Sequence, residues 1–190
     1  MKKVNFLTTA FLFLFTIYSF AQKDTIWFDN NWNETTKSKA SFYRCECSKV
    51  GDGYLYIDYY LSGTKQMEGV SLEKNKEVYE GEVKWYFENG NIFQIVNYKK
   101  GIIVGKRQIF YENGKLKTES NYKNGKLNGK WSEYFENSKL KETGYYKDDQ
   151  KDSDWKCYYN DGRLKSEGKF IFDNKVGDWK TYYYEGVSQD

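Results

Sequence analysis

Residues 111–131 of the 190-residue chain read YENGKLKTESNYKNGKLNGKW, a stretch in which tyrosine, Asn-Gly, lysine and leucine return within a short space. Asn113-Gly114 predicts a two-residue type I′ hairpin turn, because Asn and Gly tolerate the positive φ angles that such a turn requires. The segment Lys123-Asn124-Gly125-Lys126 is a short polar link that starts the next hairpin. The stretch therefore predicts one unit of a tandem β-hairpin array running into the next.

The unit recurs every 24 residues from position 81 onward. Each unit has an opening position, usually glycine, then a pair of aromatic residues, and a turn position nine residues after the opening. The opening positions are Gly81, Gly105, Gly129, Ser153 and Gly177, and the turn positions are Gly90, Gly114, Ser138, Gly162 and Gly186. An earlier, looser unit contains residues 59–69, whereas residues 22–52 follow the pattern poorly. We therefore expect an N-terminal cap over 22–52 and the repeat array over 53–190.

The turn position fixes the expected register of each hairpin. The second position after the opening should face the fifteenth, and the sixth should face the eleventh; this pairs Trp131 with Gly144, and Phe135 with Leu140. The next unit repeats the first pair as Trp155 with Gly168, and an indole lying across a glycine is known in sheets as aromatic rescue. Where the fifteenth position is not glycine, the second is not tryptophan, as in the pairs Val83 with Val96 and Arg107 with Ser120. The expected fold is all-β, an elongated antiparallel meander of hairpin repeats of about 24 residues.

Alternation along the strands divides the aromatic residues between two faces. Trp131, Trp155 and Trp179 should form a row on one face, either as a binding surface or as the core of a thin protein. Tyr134, Tyr158 and Tyr182 should form a row on the opposite face, where tyrosines flanked by lysine are typical of interfaces. The candidate binding residues are these six, and the candidate structural glycines are Gly90, Gly114, Gly129, Gly144, Gly162, Gly168 and Gly177.

The first 21 residues have the composition of a leader. Lys2 and Lys3 precede an apolar run, and Ser19 and Ala21 occupy the positions that signal peptidase requires for cleavage after Ala21. The alternative is an uncleaved anchor, since the apolar run has 18 residues, at the short end for a membrane span. The leader predicts a secreted, periplasmic or envelope location. The protein would contact the membrane only if the leader remained uncleaved.

Several classes of activity are disfavoured by composition. The chain has no histidine, so Ser-His-Asp and Cys-His sites are excluded. Without the leader, 28 basic residues stand against 27 acidic ones and are interspersed with them, so no nucleic-acid-binding stripe exists. Neither a metal nor a cofactor is expected, and no catalytic residue is assigned. Asp148, Asp149 and Asp152 lack the spacing of a calcium loop and are expected to be solvated.

Two further groups of residues allow more than one interpretation. Cys45, Cys47 and Cys157 are expected to be incidental strand cysteines, although a weak Cys-x-Cys metal site or a bridge to Cys157 is also compatible with the sequence. Glu133 and Glu142 should face each other across a strand pair. They are expected to be an uncompensated pair on a wet sheet face rather than the two carboxylates of a glycosidase.

The units resemble MORN-type repeats in the variant form found in bacterial proteins. The resemblance covers about residues 54–186, and it is carried by GKRQIFYENGKL (105–116), GKWSEYFENSKL (129–140) and SDWKCYYNDGRL (153–164). The pattern departs at Arg107, Ser138 and Ser153. Many bacterial proteins with such repeats are grouped as the YwqK family and called antitoxins of toxin–antitoxin systems. With the leader, the resemblance implies a binding or immunity-like role outside the cytoplasm.

We therefore expect an exported, non-enzymatic binding or scaffold protein. It would recognise a protein partner, such as a toxin, through its aromatic sheet. The alternative is a module that binds a glycan or another component of the cell envelope. A free sheet edge or an exposed apolar face would also favour a homodimer.

Overall fold

The structure is a computed structural model and describes residues 25–184. The strands are β1 (Ile26–Phe28), β2 (Phe42–Arg44), β3 (Ser48–Val50), β4 (Gly53–Tyr60), β5 (Lys65–Glu73), β6 (Lys76–Tyr86), β7 (Ile92–Lys99), β8 (Ile102–Phe110), β9 (Leu116–Lys123), β10 (Lys126–Tyr134), β11 (Leu140–Lys147), β12 (Gln150–Tyr158), β13 (Leu164–Ile171) and β14 (Asn174–Thr181). A 3-10 turn, η1 (Lys37–Lys39), separates β1 from β2. The leader predicted for residues 1–21 and the turn position Gly186 lie outside the described residues.

All of these strands belong to one antiparallel sheet, which confirms the predicted fold class. The strand order is β1-β2-β4 and then β5 to β14 in chain order, with β3 attached beside β4. The path contains thirteen strands, and at the usual separation of neighbouring strands it would extend about 60 Å if it were flat. None of the helices within residues 25–184 is long and apolar enough to cross a membrane.

The hairpin tips differ from the prediction in their turn type. At the tip after β8, the Gly114 N–H donates to the Tyr111 carbonyl at 2.9 Å, and the Tyr111 N–H donates to the Lys115 carbonyl at 2.8 Å. Gly114 has φ 81°, but Asn113 is not among the residues with positive φ. Its side-chain oxygen instead accepts the Lys115 N–H at 3.0 Å. The tip is therefore a three-residue loop ending in a positive-φ residue, and the predicted two-residue type I′ turn is wrong here.

The longer loop displaces the register only near the tip. Tyr134, not Phe135, lies opposite Leu140, because the register shifts between Glu133 and Tyr134. Beyond this irregularity Trp131 lies opposite Gly144 as predicted. Three further predicted pairs are also confirmed: Trp155 with Gly168, Val83 with Val96 and Arg107 with Ser120.

The links between units are hairpins too. Lys123 and Lys126 lie opposite each other, and the two residues between them, Asn124 and Gly125, have φ of 52° and 81°. Two successive positive φ angles are the mark of a type I′ turn, which matches the natural twist of paired strands. The Gly125 N–H also donates to the Ile103 carbonyl at 2.9 Å, so this link is bonded to the preceding unit. Each strand from β5 to β13 thus has hairpin connections at both ends.

The best-buried part of the sheet lies in its N-terminal half. Tyr56, Met67, Tyr79 and Val83 form a cluster of buried side chains. They lie on β4, β5 and β6, which are antiparallel neighbours in the sheet. Burial of such side chains stabilises each by roughly 1.5–3 kcal/mol relative to exposure. This cluster anchors the repeats that follow.

A buried ion pair, which was not predicted, lies beside this cluster. The Arg44 Nε donates to Asp58 Oδ1 at 2.5 Å, and Arg44 Nη2 donates to Asp58 Oδ2 at 2.7 Å. The same Nη2 reaches Glu77 Oε1 at 2.8 Å, and the guanidinium lies 4.5 Å from the centre of the Tyr56 ring. Asp58 is only 1% exposed. Residues 42–44 of the predicted cap are thereby tied to β4 and β6.

Candidate functional site

The three predicted tryptophans lie at equivalent positions of the sheet, but they are not equally accessible. Trp155 is 1% exposed. The Trp131 ring stacks on it with a centroid distance of 5.6 Å, and the rings of Tyr146 and Phe170 meet it edge-on at 5.3 and 5.8 Å. The Trp155 indole N–H donates to the Asp152 carbonyl at 3.1 Å. Trp155 is therefore a packed core residue, and a ligand could not reach its ring without moving its neighbours.

Lysine side chains cover the same row of rings. The Lys151 Nζ lies 3.9 Å from the centre of the Trp155 ring, and the Lys175 Nζ lies 4.3 Å from that of Trp179. Such cation–π contacts contribute about 0.5–1 kcal/mol at exposed sites. They also place a charged group where a sugar ring or an apolar side chain would have to stack. We call this row of Trp131, Trp155 and Trp179 the tryptophan face.

The indoles that lie nearest to Gly144 and Gly168 are not their predicted partners. A Cβ added at Gly144 would overlap the ring of Trp155, and a Cβ at Gly168 would overlap the ring of Trp179. Each covering indole thus comes from the following unit, across the link between hairpins. The within-hairpin register was predicted correctly, but the ring nearest each glycine belongs to the following unit and not to the predicted partner.

Tyr134, Tyr158 and Tyr182 lie on the opposite face, and all three are half-buried. Tyr182 donates from its hydroxyl to Glu167 Oε1 at 3.0 Å, and Lys156 forms an ion pair with the other oxygen of that carboxylate at 3.1 Å. Lys156 adjoins Trp155 in β12, so alternation places this network away from the tryptophan face. We call the surface formed by these three tyrosines together with Lys156 and Glu167 the tyrosine face.

Tyr134 and Tyr158 differ from Tyr86 and Tyr182, which occupy equivalent positions in other units. Tyr86, at the equivalent position two units before Tyr134, donates its hydroxyl to Glu68, and Tyr182 donates to Glu167. Burial and the neighbouring Glu68 raise the pKa of Tyr86. Within residues 25–184, the hydroxyls of Tyr134 and Tyr158 have no hydrogen-bond partner. They are the polar groups of this row that remain available to a ligand.

The predicted facing of Glu133 and Glu142 is confirmed, but the pair is not uncompensated. The two residues lie opposite each other in β10 and β11. Lys141 forms an ion pair with Glu133 at 3.1 Å, and Lys151 forms one with Glu142 at 3.0 Å. The expectation of a solvated, unpaired couple is therefore wrong, and the pair is structural.

The three cysteines are all free thiols. Cys45 and Cys47 lie in the segment between β2 and β3, not in a strand as expected. Cys157 lies opposite Glu142, and burial together with that carboxylate raises the pKa of its thiol. In the part of the chain that the structure describes, no group of three or more His, Cys, Asp or Glu residues could hold a metal ion.

Four consecutive units match the family model of the MORN repeat variant. The matched segments are residues 79–100, 103–124, 127–148 and 151–171. Each match begins near a link turn and ends near the next, so it covers the hairpin that the structure shows. No curated protein matches the chain. Residues 79–171 are therefore similar, repeat by repeat, to the MORN repeat variant.

Proposed function

We propose that this chain is an exported, non-enzymatic binding protein that recognises a protein partner through its tyrosine face. The observation that carries the proposal is the pair of hydroxyls at Tyr134 and Tyr158, which have no hydrogen-bond partner within residues 25–184 and lie on the same face as the Lys156–Glu167 ion pair at 3.1 Å. Tyrosine combines a large apolar ring with a hydrogen-bonding group and few rotatable bonds, so it adds contact area at low entropic cost. The tryptophan face is less suited to this role because its central ring is packed and its lysines lie over the rings.

The repeat spacing makes this surface regular. Equivalent residues of successive units are separated by two strands, about 9.5 Å. A partner that contacts Tyr134 and Tyr158 together would therefore present two groups about 9.5 Å apart, such as residues i and i+3 of a polyproline II segment, which lie on the same side and about 9.3 Å apart. Binding of this kind would neutralise or position the partner without chemistry. A toxin neutralised outside the cytoplasm, as the family resemblance implies, would be a partner of this kind.

The decisive experiment is affinity capture from the cell-envelope fraction of the source organism with the full chain as bait. The Tyr134→Phe/Tyr158→Phe variant removes two hydroxyls that make no hydrogen bond within residues 25–184. We expect one protein at stoichiometric yield with the unaltered chain, and about tenfold less with the variant, since each lost hydrogen bond costs roughly 0.5–1.5 kcal/mol. Tyr146→Phe removes a hydroxyl from the tryptophan face and should leave capture unchanged.

Two results would contradict the proposal. Equal capture by both chains would place recognition elsewhere on the protein. A change in tryptophan fluorescence on titration with envelope polysaccharide, without any captured protein, would assign the aromatic sheet to glycan binding instead.

A further inference from the structure

The two ends of the sheet differ in how their edge strands are covered. At the N-terminal end, the chain folds back after β1, Phe28 forms an isolated bridge with Glu34, and Trp32 stacks on Phe42 with a centroid distance of 4.6 Å. At the C-terminal end, β14 pairs with β13 on one side, and no strand within residues 25–184 pairs with its other side. Repeat arrays need a cap at each end, because an uncovered edge leaves backbone groups unpaired.

The register shows which backbone groups of β14 point away from the sheet. The Tyr182 N–H donates to the Lys165 carbonyl at 2.8 Å, and Lys180 lies opposite Glu167 in the same register. Hydrogen-bonded and non-hydrogen-bonded pairs alternate in an antiparallel ladder. Lys180 and Tyr182 therefore bond to β13, whereas the N–H and C=O groups of Trp179 and Thr181 are directed outward.

The equivalent segment of β12 shows that this outward side can form a ladder. One repeat earlier, Asp154 lies opposite Lys169, Trp155 opposite Gly168, and Lys156 opposite Glu167 in β13. Asp178, Trp179 and Lys180 occupy the same three positions in β14. The bend at Gly177, with φ 64°, is also present in β12 at Ser153, with φ 61°, and β12 pairs on both sides nonetheless.

The charges of β14 favour one register for pairing with a second copy of the same strand. In an antiparallel pair of two identical strands, centring the pair on Asp178 or on Lys180 would place like charges opposite each other, which is destabilising. Centring it on Trp179 places Asp178 opposite Lys180 twice. This register also matches the outward direction of the Trp179 backbone groups. Asp178 has no ion-pair partner in the described part of the chain, and the carboxylate nearest Lys180, Glu167, is paired with Lys156.

We propose that β14 pairs with β14 of a second copy of this chain, antiparallel and centred on Trp179, to form a two-fold symmetric dimer. The two-fold axis is perpendicular to the sheet, so the two sheets become continuous. The tyrosine faces of both copies then lie on the same side. The Asp178 and Lys180 side chains meet in non-hydrogen-bonded pairs, where side chains approach most closely. The dimer does not depend on the proposed partner, because it uses backbone groups and charges of β14.

The test measures the molar mass of the full chain by light scattering and sedimentation over a dilution series. We expect a dimer for the unaltered chain. Asp178→Lys places Lys opposite Lys180 twice, and Lys180→Asp places Asp opposite Asp178 twice. Each single variant should weaken the dimer about tenfold or more, since it converts two attractive cross-strand pairs to repulsive ones. An equimolar mixture of the two variants restores both opposite-charge pairs and should form a heterodimer.

Thr181→Pro tests the backbone pairing instead of the charges. It removes an outward-directed N–H that is not used in the pairing with β13. It should also give a monomer, with circular dichroism and thermal unfolding confirming that the sheet is folded. A monomeric unaltered chain at all concentrations would overturn the proposal. Dimerisation that all these variants retain, or single variants that do not recombine on mixing, would assign the contact to another surface and overturn it as well.

Discussion

The indole of Trp155 lies against the backbone of Gly144, the residue that the preceding hairpin places opposite Trp131. This contact joins two repeats, because β11 and β12 belong to successive units. A single-layer sheet has no second layer to cover it, so large rings that lean across the links supply much of the apolar contact between repeats. The glycine is needed because any side chain would occupy the volume of the ring.

Gly144→Ala should lower the free energy of unfolding by about 1–3 kcal/mol, the usual cost of inserting a methyl group into a packed site. The added Cβ overlaps the Trp155 ring, which is held by Trp131 and Tyr146 and has little room to move. Chemical denaturation monitored by tryptophan fluorescence measures the change. Ser120→Ala, at the equivalent position of the previous unit, is the matched control and should change stability by less than about 1 kcal/mol. Equal effects of the two substitutions would disprove the role of the contact.

Ser138→Gly should stabilise the protein. Ser138 closes the tip between β10 and β11 with φ 66°, whereas Gly90, Gly114 and Gly162 hold the equivalent positions with φ from 81° to 90°. A non-glycine residue in this region costs about 1–2 kcal/mol, partly offset by the greater freedom that glycine has in the unfolded chain. We expect a gain of about 0.5–1 kcal/mol in thermal unfolding, and the reverse change at Gly114→Ser. A loss of stability in Ser138→Gly would contradict the turn assignment.

Breaking the buried ion pair should be among the most damaging single changes in the described chain. Asp58→Ala leaves the Arg44 guanidinium, whose residue is 7% exposed, with only the outer Glu77 as a partner. Removing one member of a buried pair costs about 3–5 kcal/mol. Lys76→Ala, which removes the exposed ion pair with Glu73, should cost less than about 1 kcal/mol. Denaturant midpoints that shift equally in the two variants would show that the buried pair has no special weight.

The buried tyrosines predict a loss of stability at alkaline pH. Burial raises the pKa of Tyr56 from 10.0 to about 12, and burial also raises the pKa of Tyr79. The folded state therefore holds these protons more tightly than the unfolded state does. The stability that this contributes is fully present below pH 10 and is lost as the pH rises from about 10 towards 12.

Unfolding free energies measured from pH 8 to 12, together with tyrosinate absorbance, test this expectation. Tyr56→Phe should flatten the decline, after an initial loss of about 1 kcal/mol from the missing hydroxyl bond to the Lys74 carbonyl. Tyr183→Phe, at a side chain that is 74% exposed, should leave the profile unchanged. A profile in the unaltered chain that stays level up to pH 12 would show that these phenols are not protected by folding.

The binding surface could be predicted only in part. Alternation along the strands was enough to separate Tyr134 from Trp131, because the direction of a side chain in a strand depends on its position alone. Whether a ring is covered depends on its neighbours in space. Trp155 is packed between residues from three other strands, whereas Trp179 is next to the uncovered edge. The Tyr182 hydroxyl is paired because Glu167 lies within reach, whereas the residue equivalent to Glu167 in the preceding unit, Thr143, contacts Ser132.

The ion pair of Arg44 and Asp58 could be predicted only in part from the sequence. Asp58 stands in the otherwise aromatic and aliphatic strand GYLYIDYY, at a position where alternation predicts an inward side chain. An acidic residue there indicates a buried partner. The partner is separated by 14 residues and comes from β2, a strand of three residues with no repeat to identify it. Its identity followed only from the packing of the cap on β4.

The amino-acid sequence by itself determined the period, the antiparallel hairpins and the register of Trp131 with Gly144, because turn residues and strand alternation act over a few residues. It did not determine which turn each Asn-Gly would form. In residues 111–131 the same dipeptide forms a three-residue tip at Gly114 and a type I′ turn at Gly125. Only the tertiary structure decides between them, because each strand must stay in register with its neighbours on both sides. The pairing on both sides fixes where the strands end, and this determines the length of the turn.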